Sequence, residues 1–412
     1  MWCTHECVRH ILFLTFVILI QGCRAPQARI DADLSSEIDQ IQAIDNHAHP
    51  VRPVAAGEAP DKDYDALPVE QLEPSSDPVR LRPGGLELAE AHRALGGDRD
   101  NIARVLDRAG IAIMIANRVS MGPGLPPERF RWVAYADALM YPLDNRALIT
   151  NPDRKSFFAL EEQLLARYYR ESGVTARPAS LDDYLEKVVK ATIGRHKQGG
   201  ALAEKFEMAY LRPLEVGNPS KEEAQAAWSG KGDYFALQDY IFRFIALECG
   251  RLGMAVHIHT GAGAGGYFDV AGSNPMLLEP LFNDPALRHT NFVMLHGGWP
   301  FSGLVTPLLE KPNAWADFSA QALLLSRDEL SGTIRSWLEF VPEKVLFGTD
   351  AYPYSPDQGW QETAVSSSRA GREALKLALT QMMREGEITR DRALELARMV
   401  LRDNVRKLYG LP

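Results

Sequence analysis

Ile44-Asp45-Asn46-His47-Ala48-His49 decides how the chain is read. As a β-strand, this stretch sends His47 and His49 out from one face, separated by roughly 6.5–7 Å of rise. One cation fits between two rings presented that way, since a Zn–N bond is about 2.0–2.1 Å long. A His-x-His pair alone says little, because many histidines merely fill space. Three later stretches supply matching parts: Val256-His257-Ile258-His259-Thr260-Gly261, Met294-Leu295-His296-Gly297-Gly298 and Leu346-Phe347-Gly348-Thr349-Asp350. Each puts a metal-binding group at the end of an apolar, strand-like run. Four such coincidences in one chain argue for a shared site.

Outward from these runs, strand-like and helix-like segments alternate. Eight strand candidates end near His49, Asn117, Leu139, Tyr210, His259, His296, Asp317 and Asp350. The third is expected over Phe130–Met140, and the fourth over Ala201–Tyr210. Between them lie helical patterns at Ser156–Ser172, Leu181–His196, Lys221–Trp228 and Phe235–Leu252, with Asp98 expected to cap a helix over Asp98–Ala109. This alternation indicates parallel βα units. The architecture it predicts is an α/β fold, a closed (β/α)8 TIM barrel of the metal-dependent hydrolase type with long βα-loop insertions. Residues 51–86, 121–127 and 261–275 supply such loops, and polar residues at the C-terminal strand ends read as catalytic. An open doubly wound sheet would carry a glycine-rich phosphate loop after strand 1, where this chain has His49-Pro50.

A net charge of −9 over 412 residues leaves no basic stripe for phosphates, which argues against nucleic acid as a partner. Three of the four cysteines, Cys3, Cys7 and Cys23, lie in the first two dozen residues. Only Cys249 remains for the folded body, so no intrachain disulfide is expected there, and its apolar helical setting reads as a buried small residue. Ile11–Ile20 is an apolar run of signal-peptide length, too short for a permanent bilayer span. The ending Ile20-Gln21-Gly22-Cys23 resembles a bacterial lipobox; an ordinary secretory signal or an uncleaved anchor are the alternatives. The resemblance implies a signal peptide at 1–22, lipidation of Cys23, a tether over 23–34 and the barrel domain over 35–412. It also implies a periplasmic protein anchored to the outer membrane, touching membrane only through that lipid.

His-x-His on strand 1, histidines on strands 5 and 6 and an aspartate after strand 8 resemble the amidohydrolase superfamily of metal-dependent barrel enzymes. Within it the chain is similar to the amidohydrolase-related branch, often called amidohydrolase 2. Closer echoes are His259-Thr260-Gly261 with Ser273-Asn274-Pro275, Leu295-His296 with Trp299-Pro300-Phe301, and Gly348-Thr349-Asp350-Ala351. These are similar to the amidohydrolase half of the fungal developmental-regulator and nodulin group.

The resemblance implies a metal held by His47, His49, His259 and Asp350. Neutral imidazoles with a carboxylate suit Zn2+, with Mn2+ or Fe2+ also accommodated, and one ion per chain is expected. His257 shares a face with His259, so spacing alone leaves the ligand open between them; the family-like His-Thr-Gly favours His259. Asp350 is implied as general base and acid for a metal-activated water. His296 is implied to orient or polarise the substrate carbonyl. Lys205 matches a lysine of strand 4 in the related group, one that is carboxylated and bridges two metals in binuclear relatives. Glu207 shares its face, so the two are read either as reaching a metal or as an ion pair. Lys205 is placed in the catalytic set, with Tyr210, Arg212 and Trp299 around the substrate; Arg212 would grip a carboxylate bidentately. His92, His196 and His289 read as packing or surface residues, Asp45 and Asp317 as groups that hydrogen-bond around the site.

The reaction expected is cleavage of an amide, ester or lactone bond in a small molecule. Non-oxidative decarboxylation, hydration or isomerisation on the same metal barrel is the alternative, and a non-catalytic lipid-anchored binding protein is a third reading. A homo-oligomer is compatible with the sequence.

Overall fold

A computed structural model describes residues 29–52, 83–122, 124–152, 154–261, 263, 268–353 and 359–412. The expected signal peptide, Cys23 and most of the 51–86 loop lie outside the described residues. Among those described, no helix is long and apolar enough to cross a membrane.

Eight strands form the barrel: β1 (Ala43–Ala48), β2 (Ile111–Arg118), β3 (Phe130–Tyr135), β4 (Ala201–Phe206), β5 (Ala255–His259), β6 (Phe292–Leu295), β7 (Ala314–Asp317) and β8 (Val345–Leu346). Each pairs in parallel with the next in sequence order. Backbone bonds close the seam between last and first: Asn46 N–H to Phe347 O at 2.9 Å, Asp350 N–H to His47 O at 2.8 Å and His49 N–H to Ala351 O at 2.7 Å. The Asp45 carboxylate reinforces the closure, accepting from the Thr349 N–H at 2.9 Å and its hydroxyl at 2.5 Å. Asp45 thus hydrogen-bonds across to the segment that follows β8.

Strand alternation sorts the side chains into layers. Ile44, Ile115, Val133, Ala203, Ala255, Val293, Trp315 and Leu346, one per strand, pack together inside the barrel. Two positions further along, in β2 to β5 and β7, the same face carries Asn117, Tyr135, Lys205, His257 and Asp317, all buried. The interior therefore turns from apolar to polar towards the C-terminal mouth, as a filled barrel with a site at that end requires. The opposite faces pack outwards against the helices, with Met114, Ala134, Phe206 and Val256 in the larger core.

In β1 the alternation breaks. The register with β2 slips between Asp45 and Ala48. Ile44 belongs to the interior core and Asn46 bonds into it, whereas Ala48 packs outwards. Such a bulge inserts one residue and re-aims those beyond it. It is why Asn46 and then His47 both reach the interior.

The floor is sealed from the C-terminus. Helix Asn404–Tyr409 sets Val405, Leu408 and Tyr409 against the interior core. The Tyr409 hydroxyl donates to Asn46 Oδ1 at 2.8 Å and meets His257 Nε2 at 2.5 Å.

Three local expectations are corrected. The third strand ends at Tyr135, and Asp137–Met140 is a 3-10 turn; the fourth ends at Phe206, followed by a turn at Met208–Tyr210. Apolar residues in these turns are buried in the same core, which extends the strand-like pattern past the strand itself. The helix expected from Asp98 begins at Ile102, where the Asn101 side chain accepts from Arg104 N–H; Asp98 pairs instead with Arg108 at 2.8 Å. Thr389 caps the helix Arg390–Arg398, accepting from Arg392 N–H, and Cys249 is a buried free cysteine.

Candidate metal centre

His47 and His49 project from the end of β1 with their Nε2 atoms 3.3 Å apart. Both face Asp350 Oδ1, at 3.1 Å and 3.5 Å respectively. His47, His296 and Asp350 each offer a ligand atom within 4.8 Å of the others. His296 Nδ1 lies 3.9 Å from Asp350 Oδ2, and its Nε2 lies 3.1 Å from His259 Nδ1. His259 in turn is 3.6 Å from Glu207 Oε2, and Glu207 pairs with Lys205 at 2.9 Å. Four imidazoles and two carboxylates so form one buried chain across the mouth.

Backbone conformations seldom taken by non-glycine residues aim two of these groups. Leu295 faces the interior, so simple alternation would turn His296 outwards; its φ of 63° brings it back. Asp350 has φ 53°. Such left-handed residues cost roughly 1–2 kcal/mol each and cluster where function over-determines them. The glycines in the flagged motifs have a matching reason. A Cβ on Gly261 would lie 2.2 Å from Trp299 O, and one on Gly297 2.2 Å from the Trp337 ring. Thr260 bridges the two motifs, donating to Leu295 O at 2.6 Å and accepting from Gly298 N–H at 3.1 Å.

Outer contacts hold the rings. Asn117 Nδ2 is 2.7 Å from His47 Nδ1, and the Tyr135 hydroxyl is 3.1 Å from His49 Nδ1. Ser319 Oγ sits 2.9 Å from His296 Nδ1 and donates to Asp317 Oδ1 at 2.6 Å. Asp317 also accepts from the His296 N–H at 2.9 Å and from Asn46 Nδ2 at 2.8 Å.

Burial, with Lys205 next, holds His47 far below the usual imidazole range and brings His49 down to about 3. His296 is lowered by burial and then by His259. The rings are therefore neutral, the form that binds metals. Burial pushes Asp350 up to about 8 against the pull of Lys205. Burial also opposes ionisation of Glu207, yet Lys205, His259 and His49 together bring its pKa below the ordinary value.

The donor set fits a divalent cation. Asp350 Oδ1 is buried and accepts no hydrogen bond, although two ring nitrogens face it. Both rings are neutral and already engaged at Nδ1, and their facing Nε2 atoms approach each other as closely as they approach the carboxylate. A cation satisfies all three atoms at once, as N/O sites for Zn2+ do.

Of the expected residues, the fold brings His47, His49, Asp350 and His296 together. His259 stands one ring further out, on His296 and Glu207. His257, the alternative to His259, is at the floor with Tyr409. Lys205 is fully buried and ion-paired with Glu207. Tyr210 lies against His259 at 4.8 Å and stacks on Phe157 at 5.6 Å. Trp299 is half-buried beyond β6. Arg212 is turned away, its guanidinium bound to Asp239 at 2.7 Å, Gln238 at 3.0 Å and Glu215 O at 2.7 Å. His92 bonds Glu362 at 3.0 Å, His196 is buried against Glu204 at 2.9 Å, and His289 is exposed. Asn117, Tyr135 and Ser319 were not singled out by sequence. For Asn117 and Tyr135 a signal existed: each follows the last interior apolar residue of its strand by two.

The amidohydrolase family profile matches residues 218–411. Protein fluG of Emericella nidulans is 28% identical over 158 residues, 38% of this chain and 17% of its own length, so the chain spans about a sixth of that relative. Among solved structures, a Lactobacillus casei protein named for an inferred metal-dependent hydrolase activity superposes with a TM-score of 0.68 at 15% identity, covering 93% of this chain and 98% of its own. Glucuronate isomerase of Caulobacter crescentus gives 0.59 at 15% identity, over 94% and 97%. At these identities the two structures attest the fold.

Proposed function

We propose that the chain is a metal-dependent hydrolase of the amidohydrolase superfamily, cleaving an amide, ester or lactone bond of a small molecule; the amidohydrolase profile over residues 218–411 supports the family. The observation that carries this reading is the convergence of His47 and His49 Nε2 on Asp350 Oδ1, at 3.1 Å and 3.5 Å. His47, His49 and Asp350 would hold one divalent cation, Zn2+ in first place, with His296 nearer to that group than His259. Bound there, the cation supplies Lewis acidity and a nucleophilic water at neutral pH.

The chain's own groups supply the rest. Asp350 takes the proton of the attacking water and returns it to the leaving nitrogen or oxygen; before an ion binds, burial holds its carboxyl up at about 8. His296 is kept neutral and tied at Nδ1 to Ser319, so it orients the substrate carbonyl. Lys205 holds Glu207 ionised beside His259. Arg212 is left out, because its guanidinium is already bound by a carboxylate.

Metal content of the purified protein, followed by a screen of amides, esters and lactones, tests the proposal. About one ion per chain is expected, with turnover lost on chelation and restored by zinc or manganese. Turnover surviving in a metal-free sample overturns it. Two neighbours are uronate isomerases, so uronic acids belong in the screen: isomerisation without hydrolysis would keep the metal centre and replace the reaction.

A further inference from the structure

Metal uptake by His47 requires the lone pair of its Nε2, and therefore a proton on Nδ1 with an acceptor to receive it. As placed, the Asn117 carboxamide turns its nitrogen to His47 Nδ1 at 2.7 Å. That amide donates, so it makes Nδ1 the acceptor and sets the ring proton on Nε2, the nitrogen 3.1 Å from Asp350 Oδ1. The same Nδ2 lies 3.4 Å from His49 Nε2. Meanwhile Asn117 Oδ1 is buried, in a residue only 1% exposed, and accepts no hydrogen bond. A buried amide oxygen left without a donor beside one ring costs free energy unless another arrangement uses it.

We propose that Asn117 is the positioning residue for the first histidine ligand, acting by rotation of its carboxamide. Turned by about 180°, an exchange that barely changes amide shape, it offers Oδ1 to His47 Nδ1–H. The ring proton moves from Nε2 to Nδ1 with no change in net protonation, and Nε2 is free for the cation. One rotation gives the orphaned oxygen a donor and moves the amide nitrogen to the side that Oδ1 held. His49 has a corresponding outer contact, since its Nδ1 meets the Tyr135 hydroxyl at 3.1 Å. The ends of β2 and β3 thus each hold the outer nitrogen of one ring of the pair. Asn117 acts through His47.

This inference rests on the metal-centre reading, and the test separates the two. Zinc affinity is measured by chelator competition for the wild-type protein, Asn117→Ala, Asn117→Asp and Asn117→Ser, with circular dichroism confirming the fold. Asn117→Ala should bind zinc 10- to 100-fold more weakly, the usual loss when such a partner is removed. Asn117→Asp keeps acceptors and lacks the amide N–H, so it should bind within about threefold of wild type or more tightly. Long-range 1H–15N spectra of the zinc-loaded protein should show His47 protonated at Nδ1. If Asn117→Ala does not fold, Asn117→Ser carries the comparison with Asn117→Asp. Ala or Ser variants binding as tightly as wild type overturn the inference, as does Asn117→Asp losing as much as Ala, since the N–H would then be the group in use. A wild-type protein that binds no zinc sinks the metal centre itself.

Discussion

Metal uptake should be governed by one proton, the one on Asp350. Burial pushes this carboxyl from 3.8 up to about 8, while His49 is brought down to about 3 and His47 is also lowered. The rings therefore stay neutral across the accessible range, and only the carboxylate must be emptied. At pH 6, two units below that value, about 1% of Asp350 is ionised. Apparent zinc affinity should then be roughly 100-fold weaker than its plateau, a difference of about 3 kcal/mol. It should rise tenfold per pH unit and level off above about pH 8. Competition with a chromophoric chelator between pH 5.5 and 9, corrected for the chelator's own protons, reads this directly. Asp350→Asn tolerates the left-handed backbone and should lose both the slope and most of the affinity. The sign for stability is opposite without metal. A carboxyl raised in the folded state gives stability that is full below pH 4 and is lost as pH rises through about 8. The metal-free protein should therefore melt lower as pH increases over that window, while the zinc-loaded protein melts higher. Affinity unchanged between pH 6 and 8 would refute the reasoning. So would a two-proton dependence centred near 6.5, which would mean the histidines titrate normally.

Tyr409→Phe removes a hydroxyl shared by Asn46 Oδ1 and His257 Nε2; a loss of about 1–3 kcal/mol in chemical denaturation is expected, since both partners are left buried, and an unchanged midpoint would show the floor bonds to be idle. Cys23→Ser should shift the protein from the membrane pellet to the soluble fraction of an expressing bacterium and abolish incorporation of labelled palmitate, if Cys23 is the lipid-bearing residue; unaltered fractionation and labelling would point to an ordinary signal or an uncleaved anchor.

The barrel was legible because eight apolar runs, most of them ending in a polar residue, alternate with helical segments; only the turns after strands 3 and 4 blurred where a run stops. His47, His49, His296 and Asp350 were legible for the same reason. What alternation hides is deviation from it. The β1 bulge and the positive φ of His296 and Asp350 are backbone events with no residue signature, since neither position holds glycine. The choice between His257 and His259 needed the other end of the chain: Tyr409 claims His257, and no local pattern announces a contact 152 positions away. Arg212 failed to join the site because Asp239, on the helix Tyr234–Leu252, holds its guanidinium. Asn117 was overlooked as a strand terminus without chemistry of its own, although its place in the interior layer was available from the period of two.

The seam between β8 and β1 has a mechanical consequence. The cation's prospective ligands sit on both sides of the joint between the last strand and the first, His47 and His49 on one stave and Asp350 on the other, so an ion there is also a clasp. Stripping it should loosen the cylinder first along that line, with faster amide exchange at Asn46, His49 and Asp350 than on strands half a turn away. The protein would then sense its own loading as tightness of the barrel.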